Sequence, residues 1–453
     1  MSVPYDLAGC NVSVLGLGPT GFSLARYAAK RGANVAVRDT RESPPSLHTL
    51  REKVPGATFS VGAIDETALQ RADIVLMSPG VSIYEAGVRS AKARGVTIAG
   101  DIELFARHIP NHTHTIGITG SNGKTTTTAL TGHLCTQAGK RTLVAGNIGN
   151  TVLDELEKIE IDGQWPEVIV LELSSFQLES TSSLQCDAAT VLNISDDHLD
   201  RYPSLHEYAH TKAGLLQQTK LQVINRDDVI ARSMRRTDCA SVSFGGERPQ
   251  ANQYGLSAHE LLCGDQKIGS RSALRIQGQH NAMNALASVA LVSSLEIDAS
   301  NIEGALATFD GLPHRMALVS TVNHVQYIDD SKATNVGAVV AALVGLGRKA
   351  VLIAGGQGKG QDFAPLNEPI RRYARAVVLI GVDAQKIHDA IEAAGVPIVH
   401  ASTLEDAVTT ATQFAKGGDA VLLSPACASL DMFRNYGHRS EVFANAVREL
   451  THA

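Results

Sequence analysis

A chain of 453 residues has room for two to four domains at roughly 100–200 residues each, and three is the number its motifs suggest. Its 44% hydrophobic and 19% charged residues form an ordinary globular balance, which argues against extensive disorder. A net charge of −6 without a lysine or arginine block argues against nucleic acid as the main partner. No apolar run approaches the ~18 residues of a membrane span, so no membrane insertion is expected. The start, Met1 to Gly9, lacks the basic and apolar regions of a signal peptide, and six cysteines are scattered without C-x-x-C spacing. Reduced thiols and a cytoplasmic location are the expectation.

Val12 to Leu15 runs into Gly16-Leu-Gly-Pro-Thr-Gly21, and a helix pattern follows through Gly32. Strands are expected at Asn34–Val37 and Ala72–Met77, with a helix at Glu85–Arg94. Such β-α-β alternation predicts a parallel sheet covered by helices. Gly16, Gly18 and Gly21, with Asp39 at the end of the next strand, form the dinucleotide fingerprint. The same geometry serves any diphosphate-bearing ligand, and a purely structural turn is a third reading.

The segment Ala106–Asn111 links this unit to a second glycine loop. The β-branched run Thr113 to Thr119 breaks at Gly120-Ser-Asn-Gly-Lys-Thr-Thr126, and a helix-compatible stretch continues to Gln137. The strict pattern G-x-x-x-x-G-K-[ST] fails by one position, because Ile118 stands where its first glycine belongs; Gly-x-x-Gly-x-x-Gly-Lys-Thr from Gly117 fits. Gly120 and Gly123 let N–H groups face an anion, Lys124 is suited to phosphates, and the Thr125 hydroxyl to Mg²⁺. A bland glycine turn with a solvated lysine is the alternative.

Val168 to Glu172 reads as a buried strand with one carboxylate, which needs either a cation such as Mg²⁺ or a structural lysine or arginine. Ala189–Ile194 leads into Asp196-Asp-His-Leu-Asp-Arg201, fit for metal or phosphate chemistry or for a polar surface loop. On its own Lys212, one helical turn after Tyr208, reads as a surface lysine. Residues 241–278 suggest antiparallel strands, and Gln279 begins an alanine-rich helix whose Asn281 and Asn284 could hold a purine or cap the helix. A second boundary falls near Gly311–Arg315. Beyond it, strands at Val325–Ile328, Ala350–Ile353, Ala376–Ile380, Pro397–Val399 and Val421–Leu423 predict another doubly wound sheet.

Gly117-Ile-Thr-Gly-Ser-Asn-Gly-Lys-Thr125, His280-Asn-Ala-Met-Asn284 and Asp330-Ser-Lys-Ala-Thr-Asn335 resemble the Mur ligases and related folylpolyglutamate synthetases, which couple ATP cleavage to amide formation. Leu171 to Glu179, His198 to Pro203 and Ser424 to Asp431 resemble the branch that adds D-glutamate to UDP-N-acetylmuramoyl-L-alanine. The resemblance implies three α/β domains: a UDP-binding Rossmann-like domain over 1–107, a central P-loop ATPase-like domain with a small antiparallel sheet over 108–311, and a Rossmann-like amino-acid domain over 312–453. A monomer is the expectation, although the sequence does not give the oligomeric state. The resemblance places Gly18, Pro19, Thr20, Asp39, Thr40, Arg41, Gly80 and Asn147 at the UDP-sugar. Gly120, Ser121, Asn122, Gly123, Lys124, Thr125 and Thr126 would meet ATP phosphates, with Asn281, Asn284, Arg315 and Asp330 on the rest of the nucleotide. Thr125, Glu172, His198 and a carbamylated Lys212 would surround Mg²⁺, the catalytic set being Lys124, Glu172, His198 and Lys212. Thr334, Lys359, Ser429, Leu430 and Tyr436 would receive D-glutamate, although Gln357 and Tyr436 depart from the usual aspartate and phenylalanine.

Three readings compete. An amide ligase needs phosphate release that depends on both a UDP-sugar and an amino acid. A nicotinamide-dependent oxidoreductase rests on the first fingerprint alone, and a non-catalytic ATP-driven module would need none of Glu172, His198 and Lys212.

Overall fold

The computed structural model describes residues 6–450 apart from 277, 296 and 298, so the expectation about the amino terminus lies, for residues 1–5, outside the described residues. Three sheets follow one another along the chain. The first holds β1 (Asn11–Leu15), β2 (Asn34–Asp39), β3 (Thr58–Val61), β4 (Ile74–Met77) and β5 (Thr97–Ala99) in the order β3-β2-β1-β4-β5. All its pairings are parallel. The helix Pro19–Lys30 starts against the end of β1, and this close approach requires glycine: a Cβ on Gly21 would lie 1.8 Å from the Gly16 carbonyl oxygen.

The central sheet has nine strands: β6 (His114–Thr119), β7 (Thr142–Gly146), β8 (Val168–Glu172), β9 (Cys186–Val191), β10 (Thr219–Asn225), β11 (Ala240–Phe244), β12 (Gln253–Leu256), β13 (Glu260–Cys263) and β14 (Gln266–Ser270). Their order is β14-β13-β12-β11-β10-β9-β6-β8-β7. Every residue of β8 is buried, as its continuous apolar run predicts for an inner parallel strand. The antiparallel expectation for 241–278 holds for β12, β13 and β14, but β11 pairs in parallel with both β10 and β12. Gly245-Gly246 opens a loop long enough for the chain to re-enter in the same direction, whereas Gly264, at φ +55, closes a tight reversal. The antiparallel strands thus extend the central sheet.

The third sheet contains β15 (Ala317–Val322), β16 (Val325–Asp329), β17 (Ala350–Gly355), β18 (Ala374–Ile380), β19 (Ile398–His400) and β20 (Ala420–Leu423), ordered β15-β16-β20-β17-β18-β19. Only β15 runs antiparallel to its neighbour. One apolar cluster runs from Leu7 in the first unit to Ala231 in the second, joining them through Leu104, Phe105, Leu156 and Leu171. Another lies within the central unit, between the helices Lys124–Gln137 and Gln279–Val292. The clusters on the two faces of the third sheet draw only on residues from Met316 onward. Among the described residues no helix is long and apolar enough to cross a membrane, and all six cysteines are free.

Candidate active site

The strand β6 ends at Thr119, and the chain turns through Gly120 (φ +149) and Gly123 (φ +83) into the helix Lys124–Gln137. A Cβ on Gly123 would stand 2.5 Å from Asn284 Oδ1, so the turn can lie against the helix Gln279–Val292 only as glycine. Lys124 folds back and donates from Nζ to the carbonyl oxygens of Gly120 and Ser121, each at 2.8 Å. Burial pushes its pKa down, opposed by the charges of Glu172 and Asp197. A half-buried ammonium that donates to two carbonyls of its own loop is not the solvated lysine of the bland reading.

Glu172 ends β8 with 1% of its surface exposed. Its Oε1 accepts from Asn147 Nδ2 at 2.9 Å, while Oε2 is buried without a hydrogen-bond partner. Among the described residues no lysine or arginine forms an ion pair with it, and a buried, unpartnered carboxylate oxygen fits a divalent cation. Asn147, which the resemblance places at the UDP-sugar, thus also touches the strand end that carries Glu172.

His198 has a left-handed backbone (φ +56), with its ring edge-on to Phe176 at 4.6 Å and Nε2 3.7 Å from Asp197 Oδ2. Burial lowers its pKa to about 4, so the imidazole is neutral at ordinary pH. Lys212 overturns the surface-lysine reading. The helix Leu205–Ala213 packs it against the end of β6, where it is 1% exposed, donates to Thr119 Oγ1 at 3.3 Å and lies 4.6 Å from the centre of the Tyr208 ring. Desolvation, reinforced by Lys124, holds its pKa well below the ordinary lysine value. Among the described residues no group of three or more His, Cys, Asp or Glu forms a metal cage. A cation beside Glu172 and His198 would therefore complete its shell with hydroxyl, water and phosphate oxygens.

A cavity of about 360 Å³ opens beside the loop, lined by Asn122, Gly123, Thr126, Asn281, Asn284, Arg315 and Asp330. It brings together most of the residues expected at ATP. The loop leading into β15 contributes Arg315, whose Nη2 donates to Thr125 Oγ1 at 2.7 Å while its buried Nε lacks a partner. Asp330 accepts from Ser424 Oγ at 2.8 Å, and burial raises its pKa to about 7. Leu192, Phe244 and Ala341 supply apolar walls that no motif announced.

Thr334, Lys359 and Ser429 follow β16, β17 and β20, on the strand ends that face the central unit. Lys359 (φ +51) reaches Asp197 Oδ1 at 3.3 Å, and Asn335 Nδ2 donates to Asn122 Oδ1 at 3.0 Å and to Asp197 Oδ2 at 3.4 Å. Leu430 and Tyr436 are open to solvent, at 69% and 38% exposed. Lys332, to which the motifs gave no role, lies 5.3 Å from the Tyr436 ring centre, and burial lowers its pKa to about 8.

In the first unit Gly18, Pro19 and Thr20 form the start of a helix, with Thr40 and Gly80 on neighbouring loops. Asp39 is 3% exposed and turned inward, accepting from the Leu17 N–H at 2.7 Å and from Arg41 Nε and Nη2 at 2.9 and 2.7 Å. The Arg41 pairing lowers its pKa to about 2. An aspartate so occupied is not the free ribose acceptor that a nicotinamide fingerprint needs.

Known proteins match the chain over nearly its whole length. Residues 10–100 match the Mur ligase MurD-like N-terminal domain, 118–292 the Mur ligase middle domain and 314–427 the Mur ligase glutamate ligase domain. The chain is 50% identical over 444 residues to a UDP-N-acetylmuramoylalanine–D-glutamate ligase of Methylobacillus flagellatus, with 97% of each chain covered. It is 49% identical to the protein of that name from Thiobacillus denitrificans, with 98% of each covered. Its fold is similar to the crystal structure of UDP-N-acetylmuramate-alanine ligase MurC from Thermotoga maritima, at TM-score 0.61, 19% identity and coverage of 97% and 99%. MurF from Acinetobacter baumannii gives TM-score 0.60, 17% identity and coverage of 98% and 91%. With three domain models matched in succession along the chain and relatives of 49–50% identity over 97–98% of its length, the chain belongs to the Mur ligase family.

Proposed function

We propose that this chain is an ATP-dependent ligase that adds D-glutamate to UDP-N-acetylmuramoyl-L-alanine in peptidoglycan precursor synthesis. The carrying observation is its 50% identity, across 97% of both chains, to a ligase named for that reaction. The domains divide as 1–107 for the UDP-sugar, 108–311 for ATP and 312–453 for the amino acid. A carboxylate is a poor electrophile, so the γ-phosphoryl group of ATP passes first to the alanyl carboxylate, releasing ADP and giving an acyl phosphate. The glutamate amine adds to its carbonyl, and phosphate leaves from the tetrahedral intermediate.

Lys124 holds the transferring phosphoryl group, and the Asn281, Asn284, Arg315 and Asp330 side chains orient the nucleotide in the cavity. Glu172, His198, the Thr125 hydroxyl and a carbamate on Lys212 would hold Mg²⁺, which supplies neutralisation of phosphate charge. The depressed pKa of Lys212 supports this, since an unprotonated amine can add carbon dioxide. Lys359 and Thr334 take one glutamate carboxylate, and Ser429 the other. The enzyme acts as a cytoplasmic monomer. The test is phosphate release with UDP-N-acetylmuramoyl-L-alanine and D-glutamate, L-glutamate, L-alanine or meso-diaminopimelate in turn. Release that requires D-glutamate supports the reading, and preference for another amino acid overturns it.

A further inference from the structure

Arg201 lies in the loop that carries His198, yet its side chain leaves the central unit. Nη1 donates to the Pro79 carbonyl at 2.7 Å and Nη2 to the Val81 carbonyl at 2.8 Å, both in the first unit. Nη2 and Nε also meet Glu179, at 2.5 and 3.3 Å, and the guanidinium lies 3.9 Å from the centre of the Phe176 ring. The pair is secluded, with side-chain exposure of 10% for Arg201 and 1% for Glu179. Burying a guanidinium and a carboxylate is costly unless their hydrogen bonds are satisfied, and here satisfaction needs groups from both units at once.

Each end of this strut bears on a candidate site. The two bonded carbonyls flank Gly80, and the Ser78–Val81 turn, closed by a 2.9 Å hydrogen bond, packs on the glycine fingerprint: a Cβ on Gly16 would lie 3.0 Å from Val81 Cγ2 and 3.2 Å from Ser78 Cβ. At the other end the Arg201 N–H donates to the His198 carbonyl at 3.0 Å. Phe176, under the guanidinium, also supports the His198 ring, and the Tyr202 hydroxyl donates to Glu179 at 2.5 Å.

We propose that Arg201 is a positioning residue that locks the Ser78–Val81 loop of the UDP-sugar unit to the His198 loop of the ATP unit, and so sets UDP-sugar affinity far more than ATP affinity. The inference rests on the function proposed above. Arginine suits the task because a planar fork can serve two carbonyls and a carboxylate together, whereas a lysine ammonium on the same stem cannot span them.

The experiment uses the full chain with Arg201→Lys and Arg201→Met. Calorimetric binding of UDP-N-acetylmuramoyl-L-alanine is measured without ATP, alongside the KM for each substrate and the melting temperature. The expected result is a Kd and KM for the UDP-sugar raised about tenfold in Arg201→Lys and further in Arg201→Met, with the KM for ATP within about twofold of wild type. If Arg201→Met does not fold, Arg201→Lys alone decides. A lowered melting temperature with unchanged UDP-sugar affinity, or an ATP KM rising in step, overturns the proposal. Wild-type protein that neither binds the UDP-sugar nor turns it over overturns the proposed function itself, which separates the two failures.

Discussion

The two seams of the molecule are built from different materials. Between the first and central units, Leu104 and Phe105 enter the same apolar cluster as Val152, Leu156 and Leu171. Around it, Arg26 pairs with Asp154 and Arg31 with Glu160, each at 2.6 Å, while Glu103 accepts from the Ser182 and Ser183 N–H groups at 2.7 and 2.9 Å. Between the central and third units the contacts described above are polar: Arg315 to Thr125, Asn335 to Asn122 and Lys359 to Asp197. Opening the first seam would return apolar area to water at roughly 25 cal/mol per Å². Each hydrogen bond of the second is worth about 1–3 kcal/mol net, the larger values belonging to those with a charged partner, because water or a ligand can replace it. The ATP cavity sits at the second seam. Groups that must admit substrates and then surround them are placed where parting costs least.

The largest expected effect separates chemistry from stability. Lys124→Ala should cut turnover at least about 10³-fold, because the lysine acts on phosphoryl charge, while the melting temperature stays near wild type. Phosphate release near the wild-type rate from a folded variant would remove the loop from the mechanism. Leu104→Ala should do the reverse, costing about 2–5 kcal/mol in denaturant unfolding while leaving kcat of the folded enzyme unchanged. A loss below about 1 kcal/mol would mean that the first seam is not the rigid one.

The smallest effect concerns Asp101, which is 2% exposed at that first seam, with Oδ1 unpartnered and Oδ2 3.4 Å from Gln177 Nε2. Burial raises its pKa from 3.8 to about 6, so the folded protein holds this proton more tightly than the unfolded chain. Its contribution is therefore most favourable below pH 4, falls as pH rises towards 6, and is level above that. Two pKa units correspond to at most about 3 kcal/mol. Asp101→Asn should gain stability relative to wild type across that interval, read from unfolding midpoints at pH 4, 5, 6 and 7.5. A difference independent of pH would show that Asp101 does not titrate there.

The elements legible in the sequence were those whose pattern is local. Val168 to Glu172 declared an inner strand by its unbroken apolar run, and the glycines at 120 and 123 declared a turn into a helix. β3, β5 and β15 did not, because short, partly exposed edge strands take their order from the neighbour they pair with. β7 and β10 also went unmarked, although Leu143–Ala145 and Leu221–Ile224 carry apolar residues. Lys212 looked like a surface residue because helical spacing says which face it occupies, not what packs on that face. Asp39 and Lys359 were recognisable as charged groups near ligand loops, but their bonds to Arg41 and Asp197 are products of the assembled fold.

The apolar cluster shared by the first two units also bears on how the chain comes to be folded. Synthesis delivers residues from the amino end at roughly 5–20 per second, and domains fold as units when their cores are complete. Here one face of the first sheet closes on Leu15, Leu69, Val75 and Val88 from its own unit, but the cluster holding Leu104 and Phe105 is complete only once residues as late as Ile224 and Ala231 have emerged. The last unit has no such dependence, since its clusters begin at Met316. Chaperone demand should therefore fall on the early nascent chain, and an amino-terminal fragment ending near residue 107 should aggregate where a fragment beginning near 312 folds.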